Sequence, residues 1–208
     1  MEQVSRHQCI IYDGSASKRL HSLAVLIQQK LHENYRCLYL NSPSMLTEMR
    51  ASLVDASVNV GHEVAKKSLV LSSETTVSAS GSFDADLMMQ QLEDAIDQAL
   101  KDGYKGLFAA GDMTWELGSK ESFSKLLGYE WRLERLFHKR PELCGVCMYN
   151  SSTLPFDIMR KGLLSHQKVF INETLSLLNE HYAQSEGHAE EASANSELDE
   201  TITGLLQT

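Results

Sequence analysis

The side chains best placed for chemistry stand just past short apolar runs. Tyr12-Asp13-Gly14-Ser15 follows the first run, Asn41-Ser42-Pro43 the second and Ser72-Ser73-Glu74 the third. Gly111-Asp112-Met113-Thr114-Trp115-Glu116 closes the fourth, and Tyr149-Asn150-Ser151-Ser152 the fifth. In an open parallel sheet such ends share one rim, and that rim is where ligands bind. A carboxylate closing an apolar strand, as at Asp112, can hold Mg²⁺ beside a nucleotide, contact another ligand or cap the next helix. The nucleotide option needs a phosphate cradle after the first strand, G-x-x-x-x-G-K-[ST]. The chain instead carries Asp13-Gly14-Ser15-Ala16-Ser17-Lys18-Arg19-Leu20, with one glycine and no Gly-Lys-Ser/Thr. Lys18 and the start of the following helix still offer an anion site. Trp115, expected in a loop, either walls a pocket for a small apolar molecule or packs as a lid over the sheet end.

The remaining reactive types give weaker signals. Cys144 and Cys147 form a C-x-x-C, a spacing used for zinc and for redox chemistry. They lie in Leu-Cys-Gly-Val-Cys-Met-Tyr, which reads as a strand, where positions three apart face opposite ways and cannot close on one metal. Cys9 and Cys37 read as small core residues. His7, at the start of the first strand, reads as a structural histidine. Glu130 reads as a solvated or capping helix carboxylate, and His166 follows a Gly-Leu-Leu-Ser turn with no evident role. There is no H-E-x-x-H and no G-x-S-x-G elbow. Without an activated nucleophile, a metal cage or a cofactor fingerprint, the expectation is a non-enzyme with no metal and no cofactor.

Five β-type runs must position these groups: 7–12, 36–40, 68–71, 106–110 and 143–149. Continuous rather than alternating apolar character marks strands covered on both faces, as in a parallel sheet. Helical spacing recurs between them over 15–33, 45–56, 83–101 and 120–138, with further helices expected near 155–163 and 173–180. Alternating strands and helices joined by short links predict a doubly wound α/β layer with a mostly parallel sheet and helices on both faces.

The chain has 208 residues, 42% hydrophobic and 23% charged, which suits one globular domain plus a tail. The domain is expected over 1–182. From Ala183 onward the sequence is poor in bulky apolar residues, holds six carboxylates and no Lys or Arg, and reads as a disordered acidic tail over 183–208. Those six account for most of the net charge of −9. The body is close to neutral and lacks the basic face of a nucleic-acid binder. No run is long and apolar enough to span a membrane, and the first residues lack the features of a signal peptide. The expectation is a cytoplasmic protein that contacts neither nucleic acid nor membrane directly, with oligomerisation through helix faces left open.

Several spaced motifs together resemble the MEDS family, the methanogen/methylotroph sensory domain of DcmR-type regulators. They are H-x-C-x-x-Y at His7–Tyr12, D-M-x-W at Asp112–Trp115 and C-x-Y at Cys147–Tyr149, within a likeness running from about Arg6 to Tyr182. The resemblance implies a RecA- or KaiC-like core that has lost its phosphate loop. It also implies a stand-alone sensory domain in prokaryotic signal transduction that recognises a small hydrocarbon-derived ligand. The positions it carries over are His7, Cys9, Tyr12, Asp112, Trp115, Cys147 and Tyr149, to which the rim adds Asp13 as a ligand contact. Asn150 stands where close relatives would carry His. With no output module in view, the signal is expected to pass to a separate histidine kinase or regulator. The alternatives are a degenerate nucleotide-binding module without ATPase activity and a scaffold with no ligand.

Overall fold

The computed structural model describes residues 6–12, 17–74, 83–113, 126–166, 168–171 and 175–178. Strand β1 (His7–Tyr12) leads through α1 (Ser17–His32) to β2 (Arg36–Leu40). Helices α2 (Pro43–Asp55) and α3 (Val60–Ala65) carry the chain to β3 (Leu69–Ser72), and α4 (Ala85–Lys101) to β4 (Leu107–Asp112). Next come α5 (Leu126–Lys139), β5 (Leu143–Asn150), α6 (Phe156–Ser165), β6 (Lys168–Ile171) and β7 (Leu175–Leu178).

Local chemistry explains several boundaries. Ser42 caps α2, its hydroxyl accepting from the Met45 N–H, and Pro43 supplies a first helical residue that needs no N–H partner. Asp84 caps α4 by accepting from the Leu87 N–H at 3.0 Å. That helix buries Met88, Leu92, Ile96 and Ala99 along one stripe and ends at Gly103, whose φ of 87° is the left-handed turn glycine tolerates.

The strands order as β3-β2-β4-β5-β1-β6-β7. All neighbours are parallel except β6 and β7, so an antiparallel strand closes one edge of an otherwise parallel sheet. From β1 the chain crosses to β2 and β3 in one direction, then returns through β4, β5 and β6 in the other. Because such crossovers are right-handed, the reversal puts α1–α3 on one face and α4–α6 on the opposite face. Two cores follow. One joins Leu20, Ile27, Met49 and Leu53 to Phe108, Val146 and Met148. The other joins Met88, Ile96, Leu133, Phe137, Ile158 and Leu163 to Cys9, Ile11, Leu107 and Tyr149.

The α/β class and the mostly parallel sheet are as the sequence led one to expect. The helix expected over 173–180 is not formed: 175–178 is β7, paired with β6 in antiparallel register. An apolar run of four to eight residues does not distinguish strand from buried helix, and here an open sheet edge recruits it. Strand β6 and helix α3 also go beyond the expected elements. The tail from Ala183 lies outside the described residues.

Candidate functional site

Strand alternation divides the expected site into two groups. Along β1, His7, Cys9 and Ile11 face α4–α6, whereas Tyr12 joins the core under α1–α3. Along β5, Cys147 and Tyr149 face α4–α6, with Cys9 opposite Cys147 and Ile11 opposite Tyr149 in register. The expected site residues therefore fall into two groups on opposite faces of the sheet, because side chains one position apart along a strand point opposite ways. Asp13 and Trp115 lie outside the described residues.

At the rim, the Tyr12 hydroxyl donates to Asp112 Oδ2 at 2.8 Å, with both residues buried. Tyr12 stands opposite Asn150 in the β1–β5 register. Strands β1 and β5 send their following helices to opposite faces, so this pair sits at a point where the winding reverses. Burial and the Asp112 carboxylate together push the Tyr12 phenol well above its ordinary range.

The other group forms a closed polar cluster. Glu130 from α5 is 0% exposed and His166, just past α6, is 0% exposed; they join His7 and Cys147. The His7 Nε2 lies 3.4 Å from Cys147 Sγ and 3.6 Å from Glu130 Oε2. His166 Nε2 lies 3.7 Å from the same Glu130 oxygen, and Cys147 Sγ lies 4.0 Å from it. One ligand atom from each of the four residues falls within 4.8 Å of the others.

Each member is held from behind. His7 Nδ1–H donates to Glu134 Oε2 at 2.8 Å, and His166 Nδ1–H donates to the Gly162 carbonyl at 2.7 Å. A carboxylate and a carbonyl only accept, so in both rings Nδ1 carries a proton, and Nε2 turns inward. The Tyr149 hydroxyl donates to Glu130 Oε1, leaving Oε2 toward the centre. Phe137 stacks on the His7 ring, with centroids 4.4 Å apart. Two glycines make room. A Cβ at Gly162 would fall 2.7 Å from the Tyr149 ring, and one at Gly145 would fall 2.4 Å from the Ala109 carbonyl oxygen.

Burial shapes the electrostatics. It raises the Glu130 carboxyl, while His7 and the Tyr149 hydroxyl pull it back down and Glu134 adds a smaller push upward. Burial, then the nearby His7, holds His166 well below the usual histidine range. Burial, then Glu130, raises both the Cys9 thiol and the Tyr149 phenol. Cys144 turns to the other face with its Sγ 3.8 Å from the Leu107 carbonyl, so the two cysteines of the C-x-x-C do not meet.

Glu130 is the clearest correction: a carboxylate read as solvated is the buried centre of the cluster. A signal for this was present. Glu130 sits three residues before Leu133 and seven before Phe137, on the apolar stripe of its helix. His166 offered no comparable signal.

An apolar groove of about 200 Å³ lies between the ends of β2 and β3 and the start of α4. Leu38, Leu40, Val70, Met88 and Leu92 form its walls, with Ser72, Glu74 and Gln91 as polar members. Beyond it, a void of about 30 Å³ shares Leu40, Met88 and Leu92 with the groove and reaches Phe137 and Cys147.

Topology and site together define a doubly wound α/β domain with a buried polar cluster on one face and a small apolar groove at the sheet edge. The chain belongs to the MEDS family, the methanogen/methylotroph, DcmR sensory domain, which it matches over residues 6–167. It is similar in structure to the flagellar accessory protein FlaH from Methanocaldococcus jannaschii, with 11% identity and a TM-score of 0.49 over 80% of this chain and 71% of FlaH. No curated protein matches the sequence. Among the described residues, no helix is long and apolar enough to cross a membrane.

Proposed function

We propose that this chain is a non-catalytic sensory domain. It takes a small hydrocarbon-derived ligand in the groove between β2, β3 and α4 and passes the signal to a separate kinase or regulator. The groove carries the reading. Its walls are aliphatic and thioether side chains, and Ser72, Glu74 and Gln91 offer a few hydrogen bonds to a hydroxyl or similar handle. About 200 Å³ is below the range of roughly 300–1,000 Å³ typical of drug-sized ligands. It exceeds the cavity of about 150 Å³ that suffices for benzene. The groove thus fits a molecule of a few carbons. Membership in a sensory family points the same way.

A nucleotide is a poorer fit. The first loop lacks the motif that wraps phosphates, and the Asp112 carboxylate, the expected Mg²⁺ holder, is engaged by the Tyr12 hydroxyl.

Thermal melts of the full chain with short-chain alcohols, haloalkanes and ATP–Mg²⁺ test this. A ligand at 100 times its dissociation constant adds about 2.7 kcal/mol, or roughly 5–11 °C for a chain of this size. We expect that rise with at least one small organic compound and none with ATP–Mg²⁺. Val70→Trp, on the edge strand with Val70 37% exposed, fills the groove and abolishes the rise without replacing a buried core side chain. A rise that survives Val70→Trp, or one produced by ATP–Mg²⁺ alone, overturns the reading.

A further inference from the structure

We propose that His7, Glu130, Cys147 and His166 form a binding site for a divalent transition metal of the zinc type. Four elements contribute one donor each: β1, α5, β5 and the residue after α6. Bonds of about 2.0–2.3 Å to a tetrahedral centre place ligand atoms about 3.3–3.6 Å apart. Four of the six separations, 3.4, 3.6, 3.7 and 4.0 Å, lie within about half an ångström of that edge, and the other two, within 4.8 Å, close as the side chains draw in on the ion.

The surrounding contacts favour the same conclusion. A metal-binding histidine typically gives its other N–H to a carboxylate or carbonyl, which fixes the tautomer and aims the lone pair. His7 does so to Glu134 and His166 to Gly162. The Tyr149 hydroxyl likewise fixes the carboxylate of Glu130. The Nε2 atoms of both imidazoles, the Cys147 sulfur and Glu130 Oε2 thus converge on one buried point.

Charge closes the argument. A dication with one thiolate, one carboxylate and two neutral imidazoles is neutral overall, so the buried site avoids the cost of an uncompensated charge. Binding releases the Cys147 thiol proton to solvent and forms the metal–sulfur bond, with no change in oxidation state. Thiolate and imidazole donors disfavour Mg²⁺ and Ca²⁺, which take oxygen ligands.

The full chain, stripped with a chelator and then offered Zn²⁺ or Co²⁺, tests the site. We expect one metal per chain by elemental analysis after desalting. The Co²⁺ form should show a sulfur-to-metal charge-transfer band and the intense visible bands of a tetrahedral centre. Cys147→Ser should remove the charge-transfer band, whereas Cys144→Ser, altered on the opposite face of the same strand, should keep it. Substoichiometric metal in the wild type, or a Co²⁺ spectrum without sulfur charge transfer, overturns the proposal even if Cys147→Ser fails to fold. Equal spectra from the wild type and a folded Cys147→Ser overturn it as well. Ligand binding in the groove stands or falls by the thermal melts described above, so the two results are separable.

Discussion

Replacing Tyr12 by Phe tests how the rim is held. The ring is buried, and its hydroxyl donates to Asp112 Oδ2 at 2.8 Å. Phe keeps the ring, so apolar burial is almost unchanged and the loss is confined to the hydroxyl's hydrogen bonds, chiefly the one to Asp112 and beside it one with the Asn150 side chain. A bond to a charged group contributes about 1.5–3 kcal/mol, because the carboxylate left behind stays largely shielded from water. At roughly 2–4 °C per kcal/mol for a chain of this length, the melting temperature should fall by about 3–12 °C. Urea melts should show a lower midpoint at constant slope, since the exposed area on unfolding does not change. The sign with pH is also set. The folded Tyr12 phenol holds its proton well above the ordinary range, whereas the unfolded chain releases it near pH 10. Wild-type stability from this residue is therefore complete below about pH 10 and lost above it, and that part of the alkaline loss should be absent in Tyr12→Phe. A change within about 0.5 kcal/mol at unchanged slope, the value for an exposed pair, would refute the reasoning.

Two further substitutions and one titration probe the rest of the account. Gly162→Ala in α6 should destabilise by about 1–3 kcal/mol in urea melts, because the new Cβ meets the Tyr149 ring at 2.7 Å. An open helix site would instead gain up to about 1 kcal/mol from the same change, so a stabilised variant contradicts the packing described. Glu134→Gln keeps the shape of the group behind His7 but weakens its pull on the Nδ1–H; a loss of about 10- to 100-fold in Zn²⁺ affinity is expected from competition with a chelating dye. Burial, with Lys30 opposing and Glu33 adding to it, leaves the Cys144 thiol pushed up to about 11. Its alkylation rate, read by peptide mapping, should keep climbing between pH 9 and 10, where an ordinary cysteine levels off after about 8.5. A plateau near pH 9 would show the thiol to be free of that environment. The unfolded thiol ionises first, so this group's contribution to stability is present below about pH 8.5 and declines toward pH 11.

Much of the architecture was legible because buried parallel strands announce themselves as unbroken apolar runs. His7–Tyr12, Arg36–Leu40 and Leu143–Asn150 are of this kind, and the helices between them carry clear stripes. The misses share a cause. Leu175–Leu178 and Lys168–Ile171 are four residues each, too short for either period to register, and the sheet edge decides their state. Helix α3 is a six-residue turn whose cap, Asn59 accepting from the His62 N–H at 3.1 Å, becomes visible only when the helix is known.

The candidate site was half legible. His7, Cys9 and Cys147 were singled out, and alternation along β1 and β5 already implies that they share a face apart from Tyr12. Their partners stand 17 residues before and 19 residues after Cys147, on α5 and just past α6, and neither Glu130 nor His166 carries a motif. Only the packing of α5 and α6 on the sheet brings them together. The groove has no sequence signature because its walls are ordinary core residues that happen not to meet.

The most direct test of the sensory account locates the ligand. In amide-resolved NMR of the full chain, a small alcohol or haloalkane that raises the melting temperature should shift Leu38, Leu40, Val70, Ser72, Gln91 and Leu92 first and most. Saturating shifts centred there support a ligand seated between β2, β3 and α4. Shifts centred on Tyr12 and Asp112 with that strip unmoved would contradict it.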